Sequence, residues 1–573
     1  MTPSPSKAAG VLVPVFAIRR RYDLGIGDTS GVQQFIDWAA ETQIGVLQFL
    51  PITETGADNS PYNAISAVAL DPLTLDLSPG ALPDLTEEAF SEVIVGENLL
   101  ELRSGSVRYE RVRRLKLSLL DRAFRHFQEK HLGQESDRGQ SFALFQKEEQ
   151  AWLADYCLFR CLMEREEGSA AWDQWPEEYG TIARAREFVA DRQELRARLD
   201  FFAYVQWVAS RQWRAVRRYA EQAGVRLMGD VPFGVSYYSA DVFAQPELFD
   251  LEWSGGAPPE AYFKEDRFTQ KWGQNWGIPL YRWEVMEDQG FAWWRRRIGK
   301  LTDIFDIFRI DHALGFYRIY RFPWRPERNE HFLDLSWEEA ATENGGRVPG
   351  FWPQADDSQE RCAANRSQGE RFLRVIQEAA GQAEIVAEDL GMVPPYVRPS
   401  LETLGIPGMK IPQWEYGEEG QVCPGQDYPE ISFTTYATHD HPPLKAIWEN
   451  HRKQILDEEE GAEDSARELH ALARFAGCEW QGDIVPRFDE EVRQQLIRGL
   501  FASNARYAVI MMTDFLSSTD RFNVPGMSAD ENWSTRLRPT VRDFLRNPHW
   551  TNMGASLRRL VEETGRGLPQ CKS

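Results

Sequence analysis

The chain is short of positive charge. Its 65 lysines and arginines stand against 88 aspartates and glutamates, giving a net charge of −23 and a pI near 5.0. That balance repels a polyphosphate, so nucleic acid is excluded as the expected partner. No basic amphipathic segment is present to lie on a membrane surface. No uninterrupted apolar run is long enough to cross a bilayer. The amino terminus, MTPSPSKAAG, lacks the charged start and apolar stretch of a secretory signal. Cysteine is scarce as well: Cys157, Cys161, Cys362, Cys423, Cys478 and Cys571. Only Cys157 and Cys161 are close, inside a helical pattern without nearby metal-ligand partners, so reduced thiols in a cytoplasmic protein are expected. Metal-ligand clusters, internal repeats and low-complexity tracts are missing too. No cofactor and no metal are expected, and the oligomeric state is left open.

What is present is size and aromatic surface. At 573 residues, one large elaborated domain or a few domains are expected. The 20 tryptophans, with 18 tyrosines and 32 phenylalanines, are an excess that fits the flat faces of sugar rings. Any single one of them is better read as packing.

Short apolar runs recur, and many stop at an acid. They are GVLQFLPI (45–52), VRLMGDVPF (225–233), DIFRIDH (306–312), EIVAEDL (384–390), SFTTYATHD (432–440) and YAVIMMTDF (507–515), with GMKIPQW (408–414) a further candidate. Helical patterns such as SGVQQFIDWAAETQ (30–43) lie between most of them. Strands alternating with helices give a parallel sheet, and this many units predict an α/β fold of the (β/α)₈ TIM-barrel type. Barrel active sites sit at the C-terminal strand ends, which here carry Asp230, Asp311, Glu388, Asp440 and Asp514. Residues 84–200 differ: Val112, Leu115, Leu119, Ala123 and Phe127 recur at helical spacing, as do Phe145, Trp152, Tyr156 and Phe159. The expected organisation is an extension over 1–18, the first part of the barrel over 19–83 and a mainly helical insertion over 84–200. The rest of the barrel follows over 201–573, with loop insertions at 250–285 and 325–370 and no run of short strands after 540.

Within FRIDHALGF (308–316), Arg309 precedes Asp311 by two residues, so period 2 sets both on one strand face. An ion-paired carboxylate there can act as a nucleophile. Glu388 has the longer reach of a proton donor. Glycosyl transfer or hydrolysis with retention needs such a pair about 5–5.5 Å apart.

These segments resemble the amylomaltases, or 4-α-glucanotransferases, of glycoside hydrolase family 77 in the α-amylase superfamily, over about residues 19–540. RYDLGIGD (21–28) is similar to the family's opening segment. DNSPYNAISAVALDP (58–72) is similar to its substrate loop, which implies that Tyr62 stacks on a sugar near the donor site. GDVPFGV (229–235) places Asp230 in the cleft. The nucleophile region implies Asp311 with Arg309 and His312, and VAEDLG (386–391) implies Glu388 as acid/base. ATHD (437–440) implies that His439 and Asp440 hold the sugar and stabilise the transition state. GAPPEAYF…GQNWGIPLY (256–281) resembles a loop covering the cleft, with Asn275 and Trp276 as binding residues. DRFNVPGM…ENW (520–533) resembles the closing motif and supplies Asn532.

The resemblance implies a retaining 4-α-glucanotransferase acting on maltooligosaccharides or starch- and glycogen-type glucans. An α-1,4-glucan hydrolase with the same acids, or a silent glucan-binding protein, are the alternatives. Departures from the family pattern are His441-Pro442-Pro443 where Asn and then acidic or Thr residues are usual, Tyr237-Tyr238 where a His-Asp pair is usual, an extra KEDRFTQK (264–271), and Glu260 for an Asp.

Overall fold

Runs that are apolar on both faces cannot rest at a solvated sheet edge, and here they close on one another. The computed structural model describes residues 7–260, 266–417, 420–459, 461–480, 485–525 and 532–568. Its strands, in chain order, are β1 (Ala8–Leu12), β2 (Val46–Gln48), β3 (Arg226–Val231), β4 (Phe249–Ala257), β5 (Gln274–Tyr281), β6 (Ile307–Ile310), β7 (Ile319–Phe322), β8 (Gly350–Trp352), β9 (Glu384–Ala387), β10 (Gly408–Lys410), β11 (Ser432–Thr434) and β12 (Tyr507–Met511). Eight of them form a closed barrel in the ring order β1-β12-β11-β10-β9-β6-β3-β2. Every pairing in the ring is parallel. The expected (β/α)₈ barrel is therefore present, and seven of its strands fall on the seven runs singled out above.

The eighth strand corrects a boundary. Residues 8–12 fall in the segment read as an extension, yet β1 pairs with both β2 and β12 and completes the ring. Its sequence, AAGVL, is small and apolar and stops at no acid. At Gly10 a Cβ would come within 2.9 Å of Val509 on β12, so this pairing needs glycine there.

The predicted loop insertions also hold strands. β5 and all but the first residue of β4 lie within 250–285 and β8 within 325–370; with β7 they make a four-stranded antiparallel sheet ordered β5-β4-β7-β8. The additional segment 264–271 continues as the helix Arg267–Trp272, capped by Asp266, and Trp272 packs edge-on to Trp324. Residues 264 and 265 lie outside the described residues.

Between β2 and β3 the chain is helical, from Glu87–Ile94 to the 31-residue helix Gln193–Ala223, which ends at Gly224 with φ 72°. Val112, Leu115, Leu119, Ala123 and Phe127 share one buried stripe, as their spacing predicts. Phe127 packs between Tyr204 and Trp207 of the long helix, which joins the insertion to the barrel wall. Among the described residues no strand follows Met511; the chain closes with the helices Val541–Arg546 and Pro548–Glu563. Among the described residues no helix is long and apolar enough to cross a membrane.

Candidate active site

The C-terminal strand ends open into a cleft of about 600 Å³. β3 and β6 run in register, so Asp230 lies opposite Arg309. Both side chains are buried, and Arg309 Nη1 donates to the two Asp230 oxygens at 2.9 and 2.7 Å. Its other nitrogen, Nη2, reaches Asp311 Oδ1 at 2.8 Å, as the two-residue spacing predicts. One guanidinium thus spans two carboxylates, and their charges hold it protonated despite burial.

Asp311 directly follows β6 and its amide donates to Val231 O of β3. The next residue, His312, adopts a left-handed backbone with φ 46°. This turn aims the His312 N–H at Glu388 Oε2, 2.7 Å away. Glu388 directly follows β9, and its other oxygen accepts from Leu390 N at 2.9 Å. Burial pushes the Glu388 carboxyl up to about 7; Asp311 adds to the rise and Arg309 opposes it. Burial also drives the His312 imidazole down to about 4, so it is neutral at pH 7.

On the opposite wall, the Tyr62 hydroxyl donates to Asp230 Oδ2 at 2.7 Å. The Tyr62 ring stacks on His439 at 4.8 Å and 9°, so one of its faces is covered by imidazole. Asp440 follows His439, whose Nε2 is 3.3 Å from Asp440 Oδ2. Asn523 Nδ2 donates to Asp440 Oδ1 at 2.6 Å. Burial works against the Asp440 charge, but His439 and Asn523 outweigh it and hold the carboxyl below its ordinary range. A continuous series of contacts therefore runs Glu388, His312, Asp311, Arg309, Asp230, Tyr62, His439, Asp440.

Trp276 lines the cleft and meets the His312 ring edge-on at 4.7 Å. Asn532 lines it too, with its amide bonded to both backbone groups of Val524. Asn275 is not brought to the cleft. Its side chain accepts from Ser254 Oγ and donates to Trp324 O and Asn329 Oδ1, tying β5 to its surroundings. Asp514 is at a strand end but also turns away: its carboxylate accepts from Leu444 N and Met511 N.

The departures divide in the same way. Tyr237 stacks on Trp172 at 5.4 Å beneath the Arg325 guanidinium, away from the cleft lining, and Tyr238 OH accepts from Arg325. Glu260 and His441 do line it. Within the closing motif, residues 526–531 lie outside the described residues, as do 261–265 of the covering loop.

Several cleft residues were not singled out from the sequence: Asn523, Phe233, Tyr320, Phe351 and Met392. Asn523 stood inside the quoted closing motif, where an Asn next to an apolar turn was a usable signal. Tyr320 and Phe351 come from β7 and β8, whose pairing no local pattern announces.

Residues 13–542 match the family model of glycoside hydrolase family 77, described as 4-alpha-glucanotransferase. The chain belongs to glycoside hydrolase family 77. The 4-alpha-glucanotransferase of Thermus thermophilus is 32% identical over 580 residues, covering 98% of this chain and 99% of that protein. That of Aquifex aeolicus is 31% identical over 547 residues, covering 93% and 96%. Among solved structures, the amylomaltase from Streptococcus agalactiae in complex with acarbose superposes with a TM-score of 0.76. It is 24% identical and covers 98% of this chain and 100% of that one, a likeness of fold. The activity of this family 77 chain is 4-α-glucan transfer of the amylomaltase, or disproportionating, type. The α-glucan substrate class expected from the sequence follows from the same membership.

Proposed function

We propose that this chain transfers α-1,4-glucan segments by double displacement, with Asp311 as nucleophile, Glu388 as acid and then base, and Asp440 as the charge that steadies the sugar ring. The observation that carries this reading is the series of contacts joining the three acids around one cleft.

In the first step an Asp311 oxygen bonds to C1 of the donor glucose as the C1–O4 bond breaks. Glu388 gives its proton to the departing O4, a role that requires the protonated form its burial favours. Positive charge builds on the ring in the transition state, and Asp440, ionised beside His439, stabilises it without bonding. In the second step the acceptor O4–H yields its proton to Glu388, attacks C1 and releases Asp311. Arg309 positions Asp311 throughout, and Asp230 and His439 offer hydrogen bonds to sugar hydroxyls. The neutral His312 ring and Trp276 form a wall beside Glu388.

Maltotriose tests the reading directly. Glucose together with oligosaccharides longer than maltotriose is expected by chromatography. Products only shorter than the substrate mean hydrolysis and overturn the transfer assignment. An Asp311→Asn variant is expected to lose the activity, by about 10⁴-fold or more, because no covalent intermediate can form. Retention of wild-type turnover in that variant removes Asp311 from the role of nucleophile.

A further inference from the structure

Asp311, Glu388 and Asp440 all come from the barrel, yet the helical insertion reaches the lobe that carries Tyr62. After β2 the chain leaves the barrel over residues 52–71 and returns, its two sides pairing at Thr53 with Leu70 and at Thr55 with Ala64. Tyr62 lies beyond the second pair, toward the tip. Glu54 sits at the base, its backbone bonded to Ala69 and Ile65 and its side chain buried. There it meets the helix Gln150–Arg165. Tyr156 and Arg160 are four residues apart, so both fall on one face of that helix. The Tyr156 hydroxyl donates to Glu54 Oε2, and Arg160 Nε lies 3.2 Å from Glu54 Oε1. Gln206 of the long helix Gln193–Ala223 completes the joint. Its amide nitrogen donates to the Tyr156 hydroxyl oxygen at 3.1 Å and to Leu70 O at 2.9 Å, and its amide oxygen accepts from Leu70 N at 2.9 Å. Nearer the tip, Arg113 Nη2 of the helix Tyr109–Lys130 donates to Gly56 O at 3.3 Å.

Packing alone does not call for this joint. Glu54, Tyr156, Arg160 and Gln206 are all buried, and replacing a buried ion pair by apolar side chains of similar volume often costs nothing. What the polar groups supply is direction: charge-assisted hydrogen bonds fix where Glu54 lies, whereas an apolar contact lets one side slide. Position matters at the other end of the lobe. The Tyr62 hydroxyl meets Asp230 Oδ2 at 2.7 Å, and Asp230 shares Arg309 with Asp311. A shift of about 1 Å in a group outside the chemistry can cost about 10²-fold in rate.

We propose that the helical insertion is a positioning element for the cleft wall, with Tyr156 and Arg160 as positioning residues that act through Glu54 to set the place of Tyr62. The inference rests on the reading of Asp311 as nucleophile given above. Neither Tyr156 nor Arg160 lines the cleft, so their effect on turnover passes through the lobe.

Fluoride release from α-maltosyl fluoride, with glucose as acceptor, measures turnover even in weak variants, and circular dichroism shows that each is folded under the assay conditions. Tyr156→Phe deletes only the hydroxyl; Glu54→Gln keeps the shape and removes the charge, and serves as the second variant if the first does not fold. In each, kcat/KM falls about 3- to 30-fold. In a Tyr62→Ala background the same changes cost less than twofold, because the group they position is gone. Arg160→Lys, which keeps the charge, loses less than Arg160→Leu. Undiminished kcat/KM in the folded variants overturns the proposal, since a merely structural joint lowers the urea midpoint and leaves turnover alone. Losses that multiply with that of Tyr62→Ala overturn it as well. Failure of the nucleophile reading is visible separately, as wild-type turnover in Asp311→Asn.

Discussion

Glu388 carries the sharpest consequence of the cleft's electrostatics. An exposed glutamate titrates near 4.5, whereas burial beside Asp311 pushes this one up to about 7. At pH 7 about half of the Glu388 population then holds a proton, against about 0.3% for an exposed side chain, a gain of roughly 150-fold in the competent acid. Only the protonated form can assist the departing oxygen, so kcat/KM for maltotriose should fall above about pH 7, approaching tenfold per pH unit. Replacing the acid by Glu388→Gln should cost about 10²- to 10⁴-fold on maltotriose and abolish that alkaline limb. Fluoride is a leaving group that needs no proton from the enzyme. With α-maltosyl fluoride the variant should therefore release one equivalent of fluoride at close to the wild-type rate and then stall, leaving a maltosyl-enzyme detectable by mass spectrometry. The reasoning is refuted if Glu388→Gln keeps the alkaline limb on maltotriose, or if it loses equally on both donors.

Other outcomes follow from the supporting structure. Arg309→Leu strands the buried Asp230 carboxylate and should lower stability by about 3–5 kcal/mol, read from denaturant midpoints. Gly229→Ala places a methyl within 2.5 Å of the Phe305 ring behind β3; about 1–3 kcal/mol should be lost, with a lower Tm. Glu388 and Asp514 are both raised to about 7 in the fold, so the stability they contribute is greatest below their ordinary values and declines as pH rises through about 7. Urea midpoints between pH 5 and 8 should show that decline, and Asp514→Asn should flatten part of it.

The barrel was readable in the sequence because its strands are buried on both faces, and such strands appear as unbroken apolar runs. EIVA before Glu388 and DIFRI before Asp311 advertise strand and strand end together. β1 escaped because AAGVL has neither a β-branched majority nor an acid after it; its place is fixed by β12, some five hundred residues away. The antiparallel sheet escaped for a related reason. WSGGA and QNWGI contain glycines and polar residues that read as loop, and only their pairing with each other, and of β4 with β7, makes strands of them. At the site, a run ending in an acid did not by itself distinguish Asp311 from Asp514. What separates them is the neighbour: Asp311 has Arg309 two residues back on its own strand face, while Asp514 sits within the helical turn Met512–Phe515 and spends its oxygens on backbone amides. Asn275 shows the converse. Its surrounding motif was recognisable, but a short amide side chain beside Ser254 and Asn329 is satisfied within the sheet and has nothing left for a ligand.

The pairing of β1 with β12 also sets when activity can arise during synthesis. A growing polypeptide that has left the ribosome only as far as Asp440 already carries all three acids, yet the ring that holds them has a gap where its last strand belongs. Competence must wait for residues 507–511 to emerge and join the two ends, so unfinished chains that stop short of β12 would transfer no glucan.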